Sequence, residues 1–173
     1  MSEPGIIPPS PFSKRGPRRV EASVLRGGSA AGLVAAAAVI GLLIGIGRRA
    51  GTAFRPLNAT AAAVLGTRAD GVWGFDAIVT VVGVLVVLAL STLAGTIVAR
   101  LSPSFRTLRT LVAAAGVAIV GYLLHVHVAA RMDVGLSALL SVGELRALYV
   151  TLASALVLGI RLAFSTGTSV ARG

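Results

Sequence analysis

Gly27-Gly28-Ser29-Ala30-Ala31-Gly32-Leu33-Val34-Ala35-Ala36-Ala37-Ala38-Val39-Ile40-Gly41-Leu42-Leu43-Ile44-Gly45-Ile46-Gly47 is a run of 21 residues without a charge, closed directly by Arg48 and Arg49. At about 1.5 Å of rise per residue, a helix of this length crosses about 30 Å of hydrocarbon. The apolar region of a cleaved signal peptide is only about 7 to 15 residues long and ends in a small-residue cleavage site. This run is therefore expected to remain as a membrane anchor.

Three further stretches extend the pattern: 77–99, which stops at Arg100; 110–130, which stops at Arg131; and 147–164, which contains Arg161. An arginine near a span end can send its long apolar stem up to the headgroups, so Arg161 suits a span whose end lies close by. The whole chain agrees with this reading. Of 173 residues, 55% are hydrophobic and only 13% charged, with a mean hydropathy of +0.91. A soluble domain carries roughly 25% charged residues and would need them to cover its surface. The expected fold is all-α: a four-helix transmembrane bundle over 27–165, with a disordered basic tail at 1–26 and a short end at 166–173.

Between the first two spans lies a shorter motif. Pro56 suits a first helical position and Gly66 the residue just past a helix end. Leu57, Ala61, Val64 and Leu65 fall at i, i+4, i+7 and i+8, one face of a helix. Ten residues cannot cross a bilayer, so 56–65 is expected to lie in the outer interface or to dip in and return. Phe54, Trp73 and Phe75 surround it as interfacial aromatics. Met132, Leu136, Leu139 and Leu140 repeat the spacing and predict a second short interfacial segment over 132–142.

The net charge of +10 comes almost wholly from arginine, since Lys14 is the single lysine. The basic residues flank apolar spans instead of lining one face, which points to membrane lipid and away from nucleic acid. With the N-terminus inside, the cytoplasmic segments hold Lys14, Arg15, Arg18, Arg19, Arg26, Arg100, Arg106, Arg109, Arg161 and Arg172. The outer segments hold Arg48, Arg49, Arg55, Arg68, Arg131 and Arg146, diluted by Asp70, Asp76, Asp133 and Glu144. Ten against six favours both termini on the cytoplasmic side of a bacterial inner membrane, with anionic lipid at that face. The Pro- and Arg-rich tail, with Lys14, Arg15, Arg18 and Arg19, can touch that lipid or dock on a partner subunit.

No catalytic spacing occurs: there is no HExxH, GxSxG, GxxxxGK[ST] or CxxC, and cysteine is absent. The acids of the span-forming region sit at or outside the expected span ends, which argues against proton- or sodium-coupled transport. The chain reads as no enzyme, without a metal site. His125 and His127 are the only histidines. Two positions apart on a helix they point about 200° apart, so they cannot share one metal from the same side. Either alone is a possible ligand of a haem or chlorophyll; otherwise no cofactor is expected.

Small residues are dense in the spans. Gly28 with Gly32 and Gly41 with Gly45 form GxxxG pairs, and Ser91 with Gly95 and Ala155 with Gly159 form related ones. Such pairs let helix backbones approach closely, within this bundle or against another protein. Gly41 and Gly45 are candidate partner contacts.

Phe54-Arg55-Pro56-Leu57-Asn58-Ala59, then Val64-Leu65-Gly66 before a long aliphatic span, resembles a group of small four-span membrane proteins from high-GC bacteria. Leu156-Val157-Leu158-Gly159 is similar to the last helix of that group. The resemblance covers roughly 41–165, implies the four-span architecture, and transfers no site residues. The expected function is a non-catalytic accessory or scaffolding subunit of a larger bacterial membrane complex, respiratory or photosynthetic. A small oligomeric channel or carrier is one alternative, and a protein holding haem or chlorophyll through a histidine of the third span is the other.

Overall fold

The computed structural model describes residues 17–102, 107–128 and 136–169. The elements are α1 (Pro17–Arg49), α2 (Arg55–Leu65), a 3-10 turn (Gly66–Arg68), α3 (Ala77–Leu101), α4 (Thr107–His127), α5 (Leu136–Leu139) and α6 (Val142–Ser169). Four of them, α1, α3, α4 and α6, are long and apolar enough to cross a membrane. The all-α four-span bundle expected from the hydropathy pattern is the observed architecture.

The ends of the elements depart from the expected ones. The composition places 17–26 in the tail, yet α1 already begins at Pro17. Helix growth is cheap once a nucleus exists, so the helix extends backwards from the anchor, and Pro17 is compatible with a first turn, where its missing N–H has no intrahelical partner to lose. At the other terminus α6 starts at Val142, five residues before the expected 147. Its start is a capping box. The Glu144 carboxylate accepts from the Ser141 backbone N–H at 2.9 Å and from the Ser141 hydroxyl at 2.8 Å, while the Glu144 N–H donates to Ser141 Oγ at 3.3 Å. These bonds satisfy donors that a helix start leaves open. Of the second interfacial segment, 132–135 lie outside the described residues; in the rest, Leu136–Leu139 form a single helical turn, Ser141 belongs to the cap of α6 and Val142 begins that helix.

α1 is the most buried of the four spans and α4 the least. α1 lies between α3 and α6, whereas α4 packs chiefly on α6 and only lightly on α3. Two glycine contacts explain why α1 and α3 come so close. A Cβ added to Gly28 would stand 2.7 Å from the Thr96 Cα, and one added to Gly32 would collide with the Thr92 backbone. Across from them, Gly95 faces the backbone of Gly28 and Gly32. α6 meets α1 in the same way, with Gly159 against Ala31. This half of the core is built from Ala31, Ala35, Ala94, Val98, Ala114, Ala155, Leu156 and Ile160. Lipid tails are as apolar as these side chains, so backbone proximity and dispersion hold the helices together here.

The opposite half of the core is filled by larger side chains, including Leu43, Ile46, Leu57, Val87, Leu145 and Leu148. α2 enters there as a wedge. The turn before it and the Pro56 ring press on Gly47 of α1, and the Leu57 carbonyl lies against Gly83 of α3. Gly83 is about 9 Å of helical rise inside the start of α3. α2 therefore reaches below the rim of the bundle instead of resting on top of it.

Arg161 is exposed on α6. Because Gly159 packs on Ala31, Arg161 sits near the level of Ser29, about 5 Å below Arg26. That is within reach of a snorkelling stem.

Candidate functional site

The rim at the α2 end of the bundle carries most of the specific polar structure. Asn58 on α2 is completely buried, and both its amide hydrogens and its carbonyl oxygen are hydrogen-bonded. Its amide donates to the carbonyls of Val72, at 3.0 Å, and Gly74, at 2.8 Å. Its Oδ1 accepts from the Thr80 hydroxyl at 2.8 Å. Thr80 Oγ1 in turn accepts from the Asp76 N–H at 3.2 Å. Asp76 caps α3 through Oδ1, which accepts from the N–H groups of Ile78 and Val79 at 3.0 and 2.9 Å. Thr60 adds a second tie, its one hydroxyl hydrogen shared between the carbonyls of Leu57 and Gly83. A buried polar network satisfied at each member rigidifies its surroundings and leaves no donor for a substrate. It clamps α2 to the loop 72–74 and to the first turns of α3.

The outer side of that loop is aromatic. The Arg55 guanidinium carbon lies 3.3 Å from the Trp73 ring centroid, and Phe54 meets Phe75 edge-on at 5.3 Å. Trp73 and Phe75 are exposed, as befits rings at a headgroup layer.

His125 lies between α4 and α6. Its Nδ1 is 3.3 Å from the Tyr149 hydroxyl, and the Tyr149 ring sits on Gly121, where a Cβ would be 2.8 Å away. Tyr122 closes the cluster edge-on at 5.8 Å. Nε2, the atom that would bind a haem iron or chlorophyll magnesium, is buried and has no hydrogen-bond partner among the described residues. It is enclosed by protein, so ligation there requires the α4–α6 seam to open. His127 is exposed on another side of α4. The two histidines do not converge, as their spacing requires, and no group of three or more metal-ligating side chains occurs among the described residues.

At the other end of the bundle a groove of about 760 Å³ lies between α3 and α4. It is lined by apolar side chains of both helices together with Arg109, and takes in neither histidine.

The chain matches no family model, no curated protein and no solved structure.

The remaining sequence-derived candidates fall into two groups. Lys14 and Arg15 lie outside the described residues, while Arg18 and Arg19 fall in the first turn of α1, their side chains not described. Gly41 and Gly45 are exposed on α1, with nothing within 4 Å of an added Cβ at either. The Gly28–Gly32, Ser91–Gly95 and Ala155–Gly159 pairs are consumed inside the bundle, whereas this pair is left open. Sequence reasoning missed the role of Asn58, quoted only within the stretch Phe54-Arg55-Pro56-Leu57-Asn58-Ala59, and that of Tyr149. The available signal for Asn58 was a polar side chain within a short alanine-rich helix next to its apolar face. The Ser-x-x-Glu spacing at Ser141 and Glu144 was equally legible.

Proposed function

We propose that this protein is a non-catalytic accessory or scaffolding subunit that packs against other proteins of a bacterial inner-membrane complex. The observation that carries the reading is the open Gly41–Gly45 pair. α1 is the most buried span, yet it keeps one exposed line of mostly small residues across the membrane: Ala30, Leu33, Ala37, Gly41 and Gly45. In lipid such a line lets a second helix approach to backbone contact, the interaction that already joins α1 to α3 within this chain. The polar networks support the same reading, because they clamp elements together and present no reactive constellation.

Native electrophoresis with mass spectrometry from mildly solubilised membranes tests the proposal. The chain should migrate in stoichiometric amounts with a larger complex, and the double variant Gly41→Leu/Gly45→Leu should migrate alone with unchanged helix content. A wild-type chain that already migrates alone overturns it.

The orientation we infer has both termini on the cytoplasmic side. Among the described residues Arg18, Arg19, Arg26, Arg100, Arg109 and Arg161 stand at one end of the bundle with Glu21, while at the other end Arg48, Arg49, Arg55, Arg68 and Arg146 are offset by Asp70, Asp76 and Glu144. Because the chain has no cysteine, single cysteines placed at Thr67 and Arg100 allow a clean test with an impermeant maleimide. Labelling of the Arg100 position from outside intact cells reverses the assignment.

A further inference from the structure

The groove between α3 and α4 has a shape and charge that define its occupant. Its walls are Ile97 and Leu101 from α3 and Val112, Gly116 and Val120 from α4, with Arg109 at the end where the two helices are joined. Gly116 adds depth, since nothing stands within 4 Å of where its Cβ would be. From Arg109 to Val120 the groove runs eleven residues along α4, about 16 Å of rise. Half of a bilayer's hydrocarbon core is about 15 Å. One acyl chain of a single leaflet therefore matches the length of this groove.

The polar end agrees. Arg109 closes the groove at the end of the bundle that also carries Arg26, Arg100 and Arg161, and the described acid there is Glu21. A guanidinium presents parallel N–H donors that match a phosphate. We propose that the α3–α4 groove is a binding site for one anionic phospholipid, its acyl chain between Leu101 and Val120 and its phosphate on Arg109. The bound lipid fills in the contact between α3 and α4, which meet only lightly. This site is independent of the Gly41–Gly45 surface, which lies on α1.

The full chain is reconstituted in nanodiscs of equimolar phosphatidylcholine and phosphatidylglycerol, transferred to mild detergent and examined by native mass spectrometry. One retained phosphatidylglycerol per chain is expected, in preference to phosphatidylcholine. Arg109→Gln should lower that preference about fivefold, the worth of one arginine against an anionic lipid. Arg100→Gln, at the same end but outside the groove, should leave it unchanged. Gly116→Leu, which fills the groove, should abolish retention of either lipid while circular dichroism shows the helices intact. Equal retention of the two lipids by the wild-type chain overturns the proposal. So does an equal loss in Arg100→Gln, which would reduce the effect to the general charge of that end, or undiminished retention in Gly116→Leu. A polypeptide crosslinked to a cysteine at Val112 in place of a photoactivatable phospholipid also overturns it.

Discussion

Asn58→Ala should release the outer rim, and its size follows from the bonds that Asn58 makes. Three hydrogen bonds are lost: two from the amide to the Val72 and Gly74 carbonyls and one accepted from Thr80. At the membrane-protein average of about 0.6 kcal/mol each, the loss is about 2 kcal/mol. Leaving both carbonyls without a partner raises this, because an unsatisfied buried acceptor costs about 1–3 kcal/mol. The loop is partly exposed, so water takes up some of that penalty. A total of about 2–4 kcal/mol is expected. The assay is built into the protein, since Trp73, the single tryptophan, lies between the two carbonyls that Asn58 holds. Its emission anisotropy should fall, its quenching by acrylamide should rise, and the denaturation midpoint in mixed detergent micelles should drop. Asn58→Asp sharpens the test, because it keeps the size and the acceptor for Thr80 but loses both donors and places a carboxylate against the carbonyls. It should destabilise at least as much as Asn58→Ala. An Asn58→Asp protein with wild-type anisotropy and midpoint refutes the clamp.

Other substitutions examine separate parts of the structure. Gly32→Leu drives a side chain into the Thr92 backbone and should destabilise by at least about 1–3 kcal/mol, the usual range for overpacking; the same change at Gly41 should leave the midpoint of the isolated chain within error. Asp76→Ala removes the α3 cap bonds to Ile78 and Val79 and should cost about 1 kcal/mol, seen as faster amide exchange confined to the first turn of α3. Ser141→Ala breaks the capping box of α6 at a similar cost, and exchange at Val142 to Glu144 should rise while the centre of the helix stays protected. Wild-type exchange rates in either cap variant would show that membrane packing alone sets those helix ends.

How much of this was readable in advance differs from element to element. The spans were legible because length and lack of charge are sufficient conditions for crossing a bilayer. The span over Ala77–Leu101 was found within two residues although its apolar side chains surround the helix. α2 was legible from Pro56, Gly66 and its apolar spacing, and Gly66 ends the helix at φ +58° as a glycine readily does. The start of α1 was misplaced because the tail's composition outweighed the ease of extending an existing helix.

What the sequence by itself determined is the number of crossings, the short helix between the first two spans and the aromatic residues around it. Each rests on local chemistry that a residue expresses wherever it packs. What only the tertiary structure decided is which faces meet: that Gly28 and Gly32 are spent on Ser91 and Gly95 while Gly41 and Gly45 stay open, that Asn58 locks α2 beneath the rim, and that α4 leaves a groove beside α3. A helix apolar all round carries no amphipathic signal to say which side turns inward. In lipid both sides are equally at home, so the choice falls to backbone approach and to the few polar groups that must find partners.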